Sequence, residues 1–135
     1  MEDLRVLTQM RVREAQALLN AGEHSGSYYL LGYALECAIK VCIVKTIPAF
    51  TVPDRRLIDK MHTHDLEELL KLAQLWNDLL RHSGTDAQFG LYWAVAKDWN
   101  EHSRYKAWSA AQARDLHVAV TDGGSGVLPW IQQRW

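Results

Sequence analysis

The chain has 135 residues, 48% of them hydrophobic and 23% charged, with a formal net charge of −1. Those figures suit one domain that buries a real core, and they exclude a whole-molecule field strong enough to draw the protein onto nucleic acid or an anionic membrane. Any such binding has to come from a local patch.

From residue 3 to residue 21 the apolar residues Leu4, Leu7, Ala15, Leu18 and Leu19 fall on one side of a helix, and Asn20-Ala21-Gly22 ends it with a residue suited to a left-handed cap. The short link over 23–27 then turns the next helix back antiparallel, as an αα-hairpin. That second helix, over 25–45, is apolar around most of its circumference, with Glu36 and Lys40 as the charges of its central turns. A helix of this kind has to be surrounded by others. Its longest apolar run, Val41 to Val44 with its flanks, is interrupted by Lys40 and Lys45 and is short for a spanning segment. The acidic start, Met1-Glu2-Asp3, is unlike a signal peptide. The expected location is cytoplasmic, with no membrane partner. Cys37 and Cys42 point about 140° apart on the helix, so they do not bridge each other there and read as reduced packing residues.

Residues 47–62, with Pro48 and Pro53, form the longest irregular stretch. Leu66, Leu69, Leu70 and Ala73 make a third helical stripe, with Asp65 at its start and Glu67 placed to pair with Lys71. Ser83-Gly84-Thr85-Asp86 reads as a break, and Phe89, Tyr92, Trp93 and Ala96 give a fourth helix over about 86–97. Residues 100–108 have no clean period. Ser109 to Gln112 is a capping box that opens a fifth helix, ending at the turn over 123–126. A last turn or two of helix follows, with Pro129 near its start. No strand pattern or repeat is present in the sequence, so the expected class is an all-α bundle.

Projected around the first helix, Arg11 falls beside Leu7 and Leu18, inside the apolar face. A buried arginine needs a carboxylate. Arg11 lies nine residues before Asn20 and Glu36 nine after Ser27, so the two stand at similar height on the hairpin. The expectation is that Arg11 and Glu36 meet across it or enter one polar pocket.

The blocks Gly26-Ser-Tyr-Tyr-Leu-Leu-Gly-Tyr-Ala-Leu-Glu-Cys-Ala-Ile-Lys40, Thr63-His-Asp-Leu-Glu-Glu-Leu-Leu-Lys71, Trp99-Asn-Glu-His-Ser-Arg-Tyr105 and Gly126-Val-Leu-Pro-Trp-Ile-Gln-Gln-Arg-Trp135 resemble the HEPN domains. Together they span most of the chain. The resemblance implies an up-and-down bundle of four to five helices, a homodimer with a cleft along its two-fold axis, and action on or with RNA. Many members are metal-independent ribonucleases, often toxins paired with a nucleotidyltransferase antitoxin, that carry an Arg-(x4–6)-His motif. This sequence departs from that motif. The next histidine after Arg104 is His117, thirteen positions on, and Arg114 stands only two residues clear of it. Arg55 and Arg56 do have the motif's spacing to His62, but within the proline-bearing loop.

Glu101-His102-Ser103-Arg104-Tyr105 is the sharpest chemical candidate. Cleaving a phosphodiester without a metal needs a base, an acid and a cation, and His102 with Arg104 offers acid–base and phosphate-clamping groups. The alternative pairs Arg104 with Asp98 or Glu101 and makes Trp99, Tyr105 and Trp108 packing residues. A second candidate is the stripe of Tyr29, Tyr33, Glu36 and Lys40, all on one face of one helix. With Tyr105 it reads as a nucleotide- or RNA-binding surface or as the lining of the dimer cleft, or else as an i,i+4 ion pair of Glu36 and Lys40 with tyrosines bridging core and rim. His62, His64 and Asp65 lack a companion metal ligand, His64 and Asp65 serve equally well as helix-start residues, and His117 reads as a hydrogen-bonded residue at the core edge. No phosphate-binding loop, dinucleotide fingerprint or Cys-x-x-Cys pair occurs, so no cofactor and no metal is expected. The two functional readings are thus an RNA-acting, nuclease-type protein and a non-catalytic module that binds a nucleotide or a partner.

Overall fold

In the computed structural model, which describes residues 3–135 and so leaves Met1 and Glu2 outside, α1 (Leu4–Asn20) and α2 (His24–Lys45) form an antiparallel hairpin. There follow α3 (Arg55–Lys60), α4 (Leu66–Leu72), α5 (Trp76–Thr85), α6 (Ala87–Ala96), a 3-10 turn (Glu101–Tyr105), α7 (Ala110–Thr121) and α8 (Val127–Gln132). Every regular element among the described residues is helical.

The hairpin closes through Gly22, whose φ of +80° is the left-handed conformation open to glycine. Glu23 N–H then donates to the Leu18 carbonyl at 2.8 Å and Gly22 N–H to that of Leu19 at 3.2 Å, the paired bonds of a Schellman cap. The Ser27 hydroxyl, fully buried, donates to the Ala15 carbonyl at 2.7 Å and fixes the register of the two helices.

α2 is the centre of the molecule. It packs on α1 along its length and on α4, α7, α8 and the 3-10 turn elsewhere, and Leu31, Leu35, Ile39 and Ile43 are fully enclosed. By length and hydropathy it is apolar enough to cross a bilayer, which the interrupted runs in the sequence understate, but 72% of its most apolar window is buried within the protein. Cys37 and Cys42 are free and buried, and burial followed by the charge of Glu36 pushes the Cys37 thiol up to about 11.

Two helices correct the sequence reading. α3 lies within the stretch expected to be irregular. Asp54 caps it by accepting from Arg56 N–H at 2.9 Å, but none of its residues is buried. α5 runs through Ser83, Gly84 and Thr85, where a break was expected. There the Ser83 hydroxyl donates to the Leu79 carbonyl at 2.9 Å and the Thr85 hydroxyl to that of His82 at 3.1 Å, so these residues feed their polar groups back into the helix. The break is the single extended residue Asp86, which caps α6 through Phe89 N–H at 3.1 Å. The Ser109–Gln112 capping box forms as expected.

His117 stands at the edge of the core on α7, with Nδ1 3.3 Å from the Thr121 hydroxyl. Desolvation holds its pKa below the ordinary histidine value. The folded state therefore resists a proton that the unfolded chain accepts. Its stabilising share is complete above about pH 6.5 and is withdrawn as pH falls towards the lowered folded value. Thermal unfolding followed from about pH 7.5 down to about pH 5 should show a falling midpoint, and the fall should be smaller in H117Q.

Candidate functional site

The side of α2 that carries Tyr29, Tyr33, Glu36 and Lys40 is where the candidate residues converge. Tyr29 and Tyr33 are half-buried with ring centroids 6.5 Å apart, and Tyr29 leans on Trp99 at 5.8 Å. Desolvation, with smaller contributions from Cys37 and Glu36, raises the Tyr33 pKa. One turn further on, Glu36 is only 2% exposed. Its Oε2 accepts from Lys40 Nζ at 3.1 Å, the ion pair that the i,i+4 spacing allows.

Its other oxygen, Oε1, lies 2.6 Å from His64 Nδ1. This is the contact that sequence reasoning missed, since His64 was noted only as a helix-start residue or metal ligand. His64 sits just before Asp65, the cap of α4, whose Oδ1 accepts from Glu68 N–H at 3.1 Å. The cap turns the chain so that the imidazole lies over α2. His64 Nε2 faces the opposite way, 3.5 Å from Glu101 Oε2.

Arg11 does not meet Glu36. It forms its ion pair with Glu14 on its own helix, and its guanidinium lies 5.9 Å from the Tyr33 ring centroid. The expectation of a cross-hairpin pair fails for a physical reason. Equal height does not fix rotation about the helix axis, Glu14 is one turn away at the surface, and both oxygens of Glu36 are already taken.

The irregular stretch expected over 100–108 contains the 3-10 turn, which two tryptophans clamp onto α2. On one side Trp99, 2% exposed, lies against the backbone at Gly32 and donates from Nε1 to the Tyr29 carbonyl at 3.2 Å. On the other, Trp108 stacks on Tyr28 at 3.7 Å, donates from Nε1 to the Ser103 carbonyl at 2.8 Å and from its backbone to the Ser25 hydroxyl at 2.8 Å. Asn100 and Ser103 cap the turn reciprocally. These anchors set Glu101, His102, Arg104 and Tyr105 at the surface.

Between the start of α4 and the turn lies a cleft of about 310 Å³, lined by His64, Asp65, Lys97, Glu101 and His102 with Trp99 at its floor. His102 and His64 thus share one opening, with Lys97 as a cation beside them. Arg104 stands on the same turn with its guanidinium 4.8 Å from the ring centroid of Tyr105, which is 72% exposed. Tyr105 first, and Tyr29 behind it, raise the pKa of the guanidinium, which is a permanent cation. The alternative pairing of Arg104 with Asp98 or Glu101 does not form, because Glu101 is turned to His64. Trp99 and Trp108 do act as packing residues, and Tyr105 does not.

Chemically, the arrangement offers two imidazoles and a lysine in one cleft, an arginine and an exposed tyrosine at its side, and a buried carboxylate behind one imidazole. Comparison with family models, with curated proteins and with solved structures returns no match.

Proposed function

We propose that this chain is a HEPN-like cytoplasmic protein that acts on RNA at the cleft between α4 and the 3-10 turn, as a metal-independent endoribonuclease. Its partners in this reading are a second copy of itself and a nucleotidyltransferase antitoxin. The observation that carries the proposal is that His102, His64 and Lys97 open onto one cleft, with Arg104 on the same 3-10 turn as His102 and in no ion pair with a carboxylate among the described residues. Phosphodiester cleavage through the ribose 2′-hydroxyl needs proton donors and acceptors in a shared cleft, and a cation for the charge that builds on phosphorus. The helical hairpin with shorter helices around it supports the family part of the reading, and the burial of α2 within the protein supports its role as a core helix instead of a membrane span.

The test is digestion of a labelled RNA by purified protein in chelator. R104A should lose about 100-fold in rate through loss of phosphate stabilisation, and H102A should lose a similar factor through loss of proton transfer. Both side chains are exposed, so both variants should keep the far-ultraviolet dichroism and melting midpoint of the parent. Full activity in both variants would reject the assignment.

A second reading has its own observation in its favour. Arg104 is drawn over the Tyr105 ring, and the pair forms a cationic and aromatic platform. Such a platform suits a non-catalytic module that holds RNA or a nucleotide. Salt-sensitive binding without strand cleavage, weakened in R104A and Y105A, would select it.

A further inference from the structure

Nothing in the reading above explains why a glutamate is buried behind His64. We propose that Glu36 and His64 form a proton-transfer dyad, in which His64 Nε2 accepts the proton of a ribose 2′-hydroxyl in the cleft and Glu36 is the positioning residue that holds the ring. This inference rests on the RNA-cleaving reading and assigns its base.

The geometry is that of a fixed carboxylate and an aimed imidazole. Glu36 is held at both oxygens, by Lys40 Nζ at 3.1 Å and by His64 Nδ1 at 2.6 Å, so its orientation is determined from two sides. A ring that donates Nδ1–H to a buried carboxylate keeps Nε2 as its acceptor, and the same contact fixes the direction of that nitrogen. Here Nε2 faces the side of the ring towards the cleft and the turn.

The charged groups around the imidazole come from each neighbouring element: Glu36 and Lys40 from α2, Asp65 from the start of α4, Glu101 from the turn, and Lys97 with His102 across the cleft. Of the carboxylates, Asp65 is engaged in capping α4. Glu101 stands 3.5 Å from Nε2, longer than a good N–H···O bond, on a side chain 48% exposed. It is free to swing into solvent when a ligand enters. Glu36 has no such freedom, and the dyad therefore outlasts the arrival of substrate.

In the step proposed, the 2′-hydroxyl proton passes to His64 Nε2 as the 2′-oxygen forms its bond to phosphorus. The bond from phosphorus to the 5′-oxygen breaks, its electron pair stays on that oxygen, and His102 in its imidazolium form supplies the proton there. The products are one strand ending in a 2′,3′-cyclic phosphate and one beginning with a 5′-hydroxyl. Atoms and charge balance without a further reactant, and the two imidazoles return to their starting states by proton exchange with water.

The test digests a defined RNA oligonucleotide in chelator with the parent protein, H64A, H64Q and H64G, and reads both rate and end groups. The parent should leave a 2′,3′-cyclic phosphate, and a 2′-deoxy nucleotide at the cut site should stop cleavage. H64A and H64Q should each lose at least about 100-fold, and added imidazole should restore part of the activity of H64G. The spectroscopic readout is independent of turnover: a nitrogen-15 spectrum should place the His64 proton on Nδ1, and E36Q should abolish that signature. A folded H64A or H64Q within about threefold of the parent rate, or a His64 proton resting on Nε2 alone in the parent, would overturn the dyad while leaving the RNA reading in place. A parent protein that binds RNA and leaves every strand intact would overturn the nuclease reading and the dyad with it.

Discussion

Replacing Gly32 by alanine is expected to cost about 3 kcal/mol of stability and to lower the unfolding midpoint by roughly 10 °C. A Cβ at that position would stand 2.2 Å from three atoms of the Trp99 ring, a separation at which something has to move. The helix backbone of α2 is enclosed on its other sides, so the indole is what gives way. Trp99 then loses the bond from Nε1 to the Tyr29 carbonyl, worth about 1 kcal/mol net, in addition to an overpacking cost of about 1–3 kcal/mol. Alanine's better helix propensity returns only about 1 kcal/mol, so the clash wins. Gly84, in the last turn of α5 with nothing within 4 Å of its Cβ position, is the control, and G84A should be neutral or slightly stabilising. Because Trp99 is the floor of the cleft and the root of the 3-10 turn, under the proposed RNA-cleaving reading G32A should also lose activity beyond what its folded fraction explains. Chemical denaturation together with near-ultraviolet dichroism measures both effects. A G32A protein within about 1 kcal/mol of the parent would show that the tryptophan is not seated as described.

The Gly32–Trp99 contact also marks the limit of what the sequence discloses. The hairpin was legible because it is local: the stripe of α1, the left-handed Gly22 and the all-round apolarity of α2 each act within a few residues. The caps at Asp65, Asp86 and Ser109 were legible for the same reason. α5 was not, because Ser83, Gly84 and Thr85 together read as a helix break, and only the folded backbone reveals that the Ser83 and Thr85 hydroxyls find carbonyls of the preceding turn. α3 follows directly on the segment bearing Pro48 and Pro53 and buries none of its residues, so it left no hydrophobic stripe to follow. In the site, the common face of Tyr29, Tyr33, Glu36 and Lys40 follows from helix geometry alone. The partner of Glu36 does not, since His64 is 28 residues away and reaches α2 by a path that the irregular segment and the α4 cap decide together. Arg11 teaches the converse. A charge on an apolar face does need a carboxylate, but a nearby one on its own helix satisfied that need first.

Lys40, rather than Glu36, is the member of the buried pair whose removal should hurt stability most. Glu36 has nowhere to go: at 2% exposure, K40M leaves its carboxylate enclosed with His64 as its one remaining partner, and the expected loss is about 3 kcal/mol. E36M leaves behind a lysine whose side chain is already 18% exposed and an imidazole 39% exposed. Both can turn their polar ends to water, and the substitution removes the desolvation penalty of the glutamate itself, so a loss of about 1 kcal/mol is expected. The methylene stem of Lys40 borders an apolar cleft of about 480 Å³ shared with Val44, Ile47, Ile58 and Met61, so methionine keeps those contacts. The double variant E36M/K40M should then be more stable than K40M alone, with a coupling energy of about 2–3 kcal/mol in the double-mutant cycle. If the proposed dyad operates, activity should not follow stability: E36M and the double variant lose the group proposed to aim His64, and both should be folded and slow. If instead the double variant is less stable than K40M, the carboxylate is a net contributor to the fold, and its burial is explained by packing energetics without any reference to the imidazole it holds.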